Sequence, residues 1–182
     1  MSFFPKPYAD AVARLRVSIG FLLVAAFAWF SRPSAWSLAV GLPVSGLGLL
    51  LRGWAAGHLE KDRQLAESGP YALVRNPLYV GTLLVACGLA IASREWLLAG
   101  LFLTAFVFIY LPAIELEEQH LRDLFPSFAA YAQRVPPLWP TLNPLKRDGR
   151  FRWSLYVRNR EYQAFAGWLA GAALLITKVL VR

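Results

Sequence analysis

The chain has 182 residues, of which 57% are hydrophobic and 16% charged, and its mean hydropathy is +0.44. Soluble domains contain about 45–50% apolar residues, so this composition argues against an ordinary soluble enzyme and predicts an integral membrane protein. A formal net charge of +8 can indicate either nucleic acid or an anionic membrane surface as partner. Because the basic residues flank apolar runs, we predict the membrane and no nucleic acid.

Five apolar runs predict an all-α bundle of about five transmembrane helices that forms one domain over residues 1–182. The predicted spans are Leu15–Phe30, Trp36–Leu51, Leu78–Ala92, Trp96–Leu111 and Gln163–Val181. No clear small-residue cleavage pattern follows the first run, so we expect a retained span and no signal peptide. Only residues 93–95 separate the third and fourth spans, which predicts an antiparallel hairpin.

Arginine and lysine are concentrated in the N-terminal arm and in the loops that follow the second and fourth spans. The positive-inside bias therefore places the N-terminus and both loops in the cytoplasm. The two polar motifs of the chain lie in these loops, within a core at about residues 55–140. We therefore predict one pocket on the cytoplasmic side of the bundle.

Smaller features of the sequence are also compatible with a membrane bundle. Residues 114–125 predict a helix beyond the fourth span, and the basic, aromatic stretch 146–160 fits either a segment along the lipid headgroups or a solvated loop. The spacing of Gly167 and Gly171 permits close helix packing, which we expect within the bundle. Cys87 is expected to be a small buried hydrophobe.

The first motif reads Gly-Pro-Tyr-x-x-x-Arg-Asn-Pro-x-Tyr-x-Gly over residues 69–81. Pro77 biases Asn76 towards extended backbone, so Arg75 is expected in a non-helical segment directly before the third span. A guanidinium there can bind a carboxylate or phosphate through two hydrogen bonds, or it can simply anchor the helix. Tyr71 and Tyr79 fit an interfacial belt, which is the commoner role of such residues, but they can also form the walls of a cofactor pocket.

The second motif places Glu117 and Glu118 directly after the fourth span. Glu118 can pair with Arg122 on a solvated helix, or a carboxylate here can bind ribose hydroxyls or an ammonium group. Glu117 and His120 have the Glu-x-x-His spacing of some metal sites, but a second such pair is missing from the sequence, so we predict no metal. His58 is expected to line the pocket.

Taken in order, these residues resemble the isoprenylcysteine carboxyl methyltransferases and the related phospholipid methyltransferases. The matching positions are Gly69, Pro70, Tyr71, Arg75, Pro77, Tyr79, Gly81, Glu117, Glu118, Leu121, Phe125, Tyr131, Arg134, Val135 and Pro136. Asn76 stands where many members of the family have histidine, and Pro126 stands where glycine is usual.

The resemblance implies S-adenosylmethionine as the methyl donor and a lipophilic acceptor that reaches the site from the membrane. It implies catalytic roles for Arg75 and Glu118. Together with His58, which we expect to line the pocket, and Asn76, which can still donate and accept hydrogen bonds, the predicted cofactor-binding residues are Tyr71, Pro77, Tyr79, Gly81, Glu117, Tyr131 and Arg134. The acceptor, the atom that is methylated and the oligomeric state stay open.

Two other functions compete with this one. A membrane reductase that uses NADPH is the first, because sterol reductases have a similar helical architecture. A membrane protein without catalytic activity, in which the motifs only shape the bundle, is the second. Binding of the cofactor distinguishes the methyltransferase from the reductase.

Overall fold

The computed structural model describes residues 5–145 and 149–181, and within these ranges every regular element is helical. This confirms the predicted all-α fold. The helices are α1 (Lys6–Phe30), α2 (Ala35–Ala56), α3 (Pro77–Ser93), α4 (Trp96–Ala105), α5 (Leu111–Leu124), α6 (Phe128–Arg134), α7 (Trp153–Arg158) and α8 (Tyr162–Leu180), with a 3₁₀ turn at Gly69–Ala72 and a π-helical turn at Phe106–Tyr110.

Three helical stretches are long and apolar enough to cross a membrane, and they span Ala35–Ala56, Trp96–Leu124 and Tyr162–Leu180. Two shorter apolar helices, Ile19–Phe30 and Pro77–Ser93, accompany them. The chain is therefore an integral membrane protein, while the number of five crossings stays a prediction. The hairpin of α3 and α4 is as predicted, because Arg94 takes a left-handed conformation with a φ of 55° and reverses the chain.

The helix predicted at 114–125 is not separate from the fourth span, because α4, the π-helical turn and α5 run on as one helix. The N–H of Leu111 bonds to the carbonyl of Phe106, five residues back. Pro112, the next residue, has no N–H to donate. The π-helical turn lies directly before α5, which carries Glu117 and Glu118.

Glycines form the contact between α2 and α3. A Cβ on Gly48 would lie 2.6 Å from the carbonyl oxygen of Gly81, and a Cβ on Gly81 would lie 2.8 Å from that of Gly48. Gly41 and Gly88 contact each other in the same way, about two helical turns away from the first pair. The backbones therefore touch directly, as small residues allow in membrane bundles.

The two ends of the bundle differ in construction. At the turn end, residues 31–34, 93–95 and 178–181, short connections join the helices. At the loop end, residues 57–76, 115–145 and 149–161, long segments fold over the helices. There the backbone N–H groups of Thr141 and Leu145 donate to the carbonyls of Leu73 and Ala72, at 2.8 and 3.2 Å. We call residues 141–145 the strap, because these two bonds tie the segment to residues 72 and 73.

A small hydrophobic core supports the loop end. It consists of Ala72, Phe128, Tyr131, Val135 and Leu145, which come from the 3₁₀ turn, from α6 and from the strap. Since Phe128 and Tyr131 of α6 pack against the 3₁₀ turn that precedes α3, this core fixes the loops around the helix ends.

Three smaller predictions concern Cys87, the glycine pair of the last span and the basic, aromatic stretch. Cys87 is exposed on α3, so the expectation that it is buried is wrong. A Cβ on Gly167 or Gly171 would meet nothing within 4 Å among the described residues, so this pair does not pack within the described bundle. In the basic stretch, Trp153–Arg158 forms α7 with Trp153 exposed, and residues 146–148 lie outside the described part of the chain.

Candidate functional site

The start of α3 is the centre of the candidate site. Gly69, with a φ of +58°, opens the 3₁₀ turn, and the chain then extends through Arg75 and Asn76. The backbone N–H groups of these two residues donate to the carbonyls of Pro136 and Pro137, at 2.9 and 3.2 Å. Pro77 begins the helix. The N–H of a first helical residue has no acceptor within the helix, so a proline there costs no hydrogen bond. Arg75 therefore lies in a non-helical segment directly before α3, as predicted from Asn76 and Pro77.

Two adjacent carboxylates on α5 face the start of α3. The hydroxyl of Tyr79 donates to Oε2 of Glu117 at 3.0 Å. The side-chain amide of Asn76 donates to Oε1 of Glu118 at 2.9 Å, and Nη1 of Arg75 lies 3.2 Å from Oε2 of Glu118. The two sequence motifs, separated by about forty residues of chain, therefore form one hydrogen-bonded cluster.

A cavity of about 320 Å³ lies at this cluster. Eight of the predicted site residues line it, namely Tyr71, Arg75, Asn76, Pro77, Tyr79, Glu117, Glu118 and Tyr131. Apolar side chains such as Leu65, Leu116, Leu121 and Phe128 complete much of the wall. The cavity thus combines a few convergent polar groups with an apolar lining, as small-molecule sites usually do.

Two donors in this cluster are buried and unused. The hydroxyl of Tyr71 and Nε of Arg75 have no hydrogen-bond partner among residues 5–145 and 149–181. A buried polar group without a partner destabilises a fold by about 1–3 kcal/mol, so such groups are rare in native proteins. Both belong to residues that line the cavity.

Burial raises the pKa of Tyr71, and the negative charge of Glu117 raises it further. Burial also raises the pKa of Tyr131, although the charge of Arg75 acts in the opposite direction. Both phenols therefore stay protonated at neutral pH. The hydroxyl of Tyr131 is already used, because it donates to the carbonyl of Tyr71 at 2.8 Å, and this bond supports the 3₁₀ turn.

Three residues predicted for the site lie elsewhere. The Nδ1 atom of His58 lies 2.9 Å from the carbonyl oxygen of Trp54, and its ring lines a separate polar cavity of about 480 Å³ with Glu60 and Arg152. Gly81 packs against α2. Arg134 is exposed at the end of α6 and does not line the cavity at Arg75. The motif gives the position of these residues along the chain but not the direction they face.

Two side-chain pairs at or near the cavity were not predicted from the sequence. Asp62 and His120 line the cavity and approach each other to 3.1 Å at its exposed side. Arg52 and Glu161 form an ion pair, with Nε and Oε1 2.5 Å apart. In the sequence, Arg52 is one of several positive charges that follow the second predicted span, and no local pattern links it to a residue so far along the chain.

The chain matches the family model of the phospholipid methyltransferases over residues 15–127. It is 31% identical over 169 residues to the cobalt-zinc-cadmium resistance protein CzcN of Cupriavidus metallidurans, an alignment that covers 88% of this chain and 77% of that protein. It is 28% identical over 187 residues to the nickel-cobalt-cadmium resistance protein NccN of Alcaligenes xylosoxydans xylosoxydans, covering 96% and 87%. No solved structure matches significantly.

The family match includes the two elements that build the cluster. Residues 69–81 supply Arg75, Asn76 and Tyr79, and α5 supplies both carboxylates. The match ends at residue 127, before α6, α7 and α8. Since it spans more than half of the chain and agrees with the family predicted from the motifs, the protein belongs to the phospholipid methyltransferase family of membrane proteins.

Proposed function

We propose that this protein transfers a methyl group from S-adenosylmethionine to a lipophilic acceptor held in the membrane. The observation that carries the proposal is the cavity at the start of α3, where Arg75 and Tyr71 present unused buried donors beside the carboxylates of Glu117 and Glu118. Arg75 and Glu118 are the residues on which we expect activity to depend most.

The residues present fit the chemistry of that cofactor. Its carboxylate needs donors, and Nε of Arg75 and the hydroxyl of Tyr71 lack partners within the described residues. Its ammonium group and ribose hydroxyls need acceptors, which Glu117 and Glu118 supply. The volume of about 320 Å³ falls within the range of about 300–1,000 Å³ found for small-molecule pockets.

Bound S-adenosylmethionine supplies an electrophilic methyl group: a lone pair of the acceptor forms the new bond to carbon, while the carbon–sulfur bond breaks and its electron pair stays on sulfur. Such a displacement depends on alignment and exclusion of water. Arg75 is held on both sides, by its backbone bond to Pro136 and its ion pair with Glu118. Tyr79 lines the cavity, and the face of an aromatic ring attracts a cation such as the sulfonium.

Calorimetric titration of the purified protein with S-adenosylmethionine, S-adenosylhomocysteine and NADPH tests this proposal. We expect both adenosyl ligands to bind and NADPH to be silent. The variant Glu118→Gln keeps the shape of the side chain and removes its charge, so it should weaken binding, whereas Arg94→Ala at the turn end should not. Binding of NADPH alone would establish the reductase instead. Silence from all three ligands would contradict both enzymes.

The two relatives are named for resistance to metals, and we propose the same physiological setting for this chain, acting through a modified lipid. Anionic lipids attract cations to the membrane surface, so methylation that changes the charge of a headgroup would change the local metal concentration. A metal-sensitive bacterium should grow better in cadmium when it expresses the wild-type chain than when it expresses Glu118→Gln. Equal growth would refute this setting.

A further inference from the structure

Arg52 and Glu161 form a largely buried ion pair at the loop end of α2. Arg52 lies within the membrane-spanning stretch Ala35–Ala56, and Glu161 directly precedes α8. Only 21% and 8% of their side-chain surfaces are exposed. Nε and Nη2 of Arg52 donate to the two oxygens of Glu161, at 2.5 and 3.0 Å. This two-point contact fixes the orientation of the guanidinium.

Stability alone does not explain this pair. Taking two charges out of water costs free energy that their attraction often fails to recover, so apolar residues of similar size are often as stabilising. Charged residues in membrane-spanning helices are rare and most often belong to a functional site. Neither Arg52 nor Glu161 lines the cavity of the candidate site, so any effect of the pair on the site must pass through another element.

That element is α3. Nη1 of Arg52 donates to the carbonyl of Leu78 at 3.3 Å and to the hydroxyl of Thr82. The hydroxyl of Thr82 donates in turn to the same carbonyl at 2.9 Å. Leu78 lines the cavity of the candidate site, and the next residue, Tyr79, bonds to Glu117. One guanidinium thus joins α2 and the start of α8 to the first turn of α3.

Gly81 makes room for this arrangement. A Cβ on Gly81 would lie 2.5 Å from Cγ of Arg52 and 2.8 Å from the carbonyl oxygen of Gly48. Cγ belongs to the inner part of the arginine side chain, which cannot move aside without carrying the guanidinium with it. The glycine that ends the first motif therefore lets Arg52 approach α3, although it does not itself line the cavity.

The charges of the pair act on the site and oppose each other there. Burial is the main cause of the raised pKa of Tyr71, and among the smaller causes the charge of Glu161 raises this pKa while that of Arg52 lowers it. Loss of one partner would leave an unbalanced charge near the cavity, whereas loss of both would not. A variant without either charge therefore isolates the geometric role of the pair.

We propose that Arg52 is a positioning residue for methyl transfer: oriented by Glu161, it holds the carbonyl of Leu78 and thereby fixes the first turn of α3 against the carboxylates of α5. This inference rests on the proposed function, because it concerns the same reaction. A displacement of about 1 Å at a reacting group costs roughly 100-fold in rate, so hydrogen bonds outside the cavity can control turnover. Glu161 lies beyond residue 127, where the family match ends.

Two threonine substitutions provide a matched pair of variants. Thr82→Val keeps the shape of the side chain and leaves the pair of Arg52 and Glu161 in place, but it removes the hydroxyl that accepts from Arg52. Thr104→Val is the control. The hydroxyl of Thr104 donates to the carbonyl of Gly100, four residues earlier, at 2.8 Å, which is the same local bond that Thr82 makes. Thr104, however, is exposed on α4.

The first measurement is hydrogen exchange of the full-length protein, purified in detergent and without ligand. It compares the first turn of α3, where the N–H groups of Tyr79 and Val80 donate to the carbonyl of Asn76 at 3.1 Å, with the last turn of the same helix. We expect Thr82→Val to exchange several-fold faster in the first turn alone, and Thr104→Val to match the wild type. Unchanged exchange in the first turn of Thr82→Val overturns the proposal.

The second measurement is turnover of the double variant Arg52→Met, Glu161→Met, followed as transfer of tritium from methyl-labelled S-adenosylmethionine into an extract of bacterial membrane lipids. Its melting temperature should stay close to that of the wild type, because no unpaired charge is left buried. Transfer at saturating cofactor should fall roughly tenfold or more, since alignment is lost. Normal transfer by the folded double variant overturns the proposal, because a purely structural pair would give that result.

If the double variant does not fold, the threonine variants decide the question. Transfer by Thr82→Val should then lie several-fold below that of Thr104→Val, and equal transfer overturns the proposal.

Calorimetry with S-adenosylmethionine separates this proposal from the proposed function. Cofactor binding and turnover by the wild type, with normal turnover in the variants, overturn the role of Arg52 and leave the methyltransferase intact. Absence of cofactor binding by the wild type overturns the methyltransferase and, with it, the role of Arg52 in the reaction.

Discussion

The turn end and the loop end of the bundle differ in the hydrogen bonding of their polar groups. At the turn end Nζ of Lys178 donates to the carbonyl and the hydroxyl of Ser31 at 3.0 and 3.1 Å, and the hydroxyl of Ser37 donates to the carbonyl of Ala92 at 2.9 Å. At the loop end, two buried donors are left unused within the described chain, on Tyr71 and Arg75. The bonds at the turn end stabilise the fold, whereas the loop end retains unused hydrogen-bonding capacity, which the proposed cofactor would use.

The largest effect is expected from the cluster at the loop end. Arg75→Ala and Glu118→Ala should each lower methyl transfer by roughly 100-fold or more, because positioning groups act through alignment of the reacting atoms. The measurement is tritium transfer into lipid, with circular dichroism as the check that the protein is folded. Near-normal turnover in both variants would remove these residues from the site.

The next effect separates binding from folding within the loop end. Tyr71→Phe removes an unused buried hydroxyl, so its melting temperature should equal or exceed that of the wild type, while affinity for S-adenosylmethionine falls by roughly tenfold, the value of one hydrogen bond. Tyr131→Phe is the control, since it breaks the bond to the carbonyl of Tyr71 and should lower stability. A loss of stability in Tyr71→Phe with unchanged affinity would contradict the assignment.

A smaller effect is expected at the turn end. Lys178→Met leaves the carbonyl and hydroxyl of Ser31 without this donor, and Ser31 is buried. We expect a loss of about 1–3 kcal/mol in the free energy of unfolding with unchanged cofactor affinity, measured by thermal unfolding and calorimetry. Weakened cofactor binding would show that the two ends are coupled.

The smallest effect concerns alkaline pH. The pKa values of Tyr71 and Tyr131 are raised in the folded protein, so above pH 10 the unfolded chain loses protons that the folded chain keeps. Stability should therefore fall as the pH rises beyond 10, by up to about 1.4 kcal/mol per pH unit for each tyrosine. Melting temperatures at pH 9–11 should decline less steeply in the double variant Tyr71→Phe, Tyr131→Phe. Parallel declines would mean that neither phenol is protected.

The sequence predicts local features of the site well. Pro77 and Asn76 mark the start of α3, and apolar runs mark the spans, since both depend on neighbouring residues. The sequence also assigns Glu117 and Glu118 to the same pocket as the first motif, and in the structure both carboxylates contact residues at the start of α3. Chain neighbours do not determine which way a residue faces. This is why His58 and Gly81 were expected in a cavity that neither of them lines.

Long-range pairs are the part that the sequence could not supply. Arg52 and Glu161 are 109 residues apart, and each alone resembles an ordinary charge at the end of a span. The π-helical turn is similar: Phe106–Tyr110 is an apolar run that reads as continuous α-helix, and only the bond from Leu111 to Phe106 reveals the change. Such features depend on packing between elements.

The π-helical turn determines the rotational phase of α5. A π turn contains about one residue more than an α turn, and one residue advances a helix by about 100°. The turn therefore sets the face on which Glu117 and Glu118 emerge without moving the transmembrane part of the helix. Deleting one residue of Phe106–Tyr110 would leave a membrane helix of nearly the same length and swing both carboxylates away from Arg75. The rotational phase of this helix, as much as the identity of its residues, therefore determines whether Glu117 and Glu118 face Arg75.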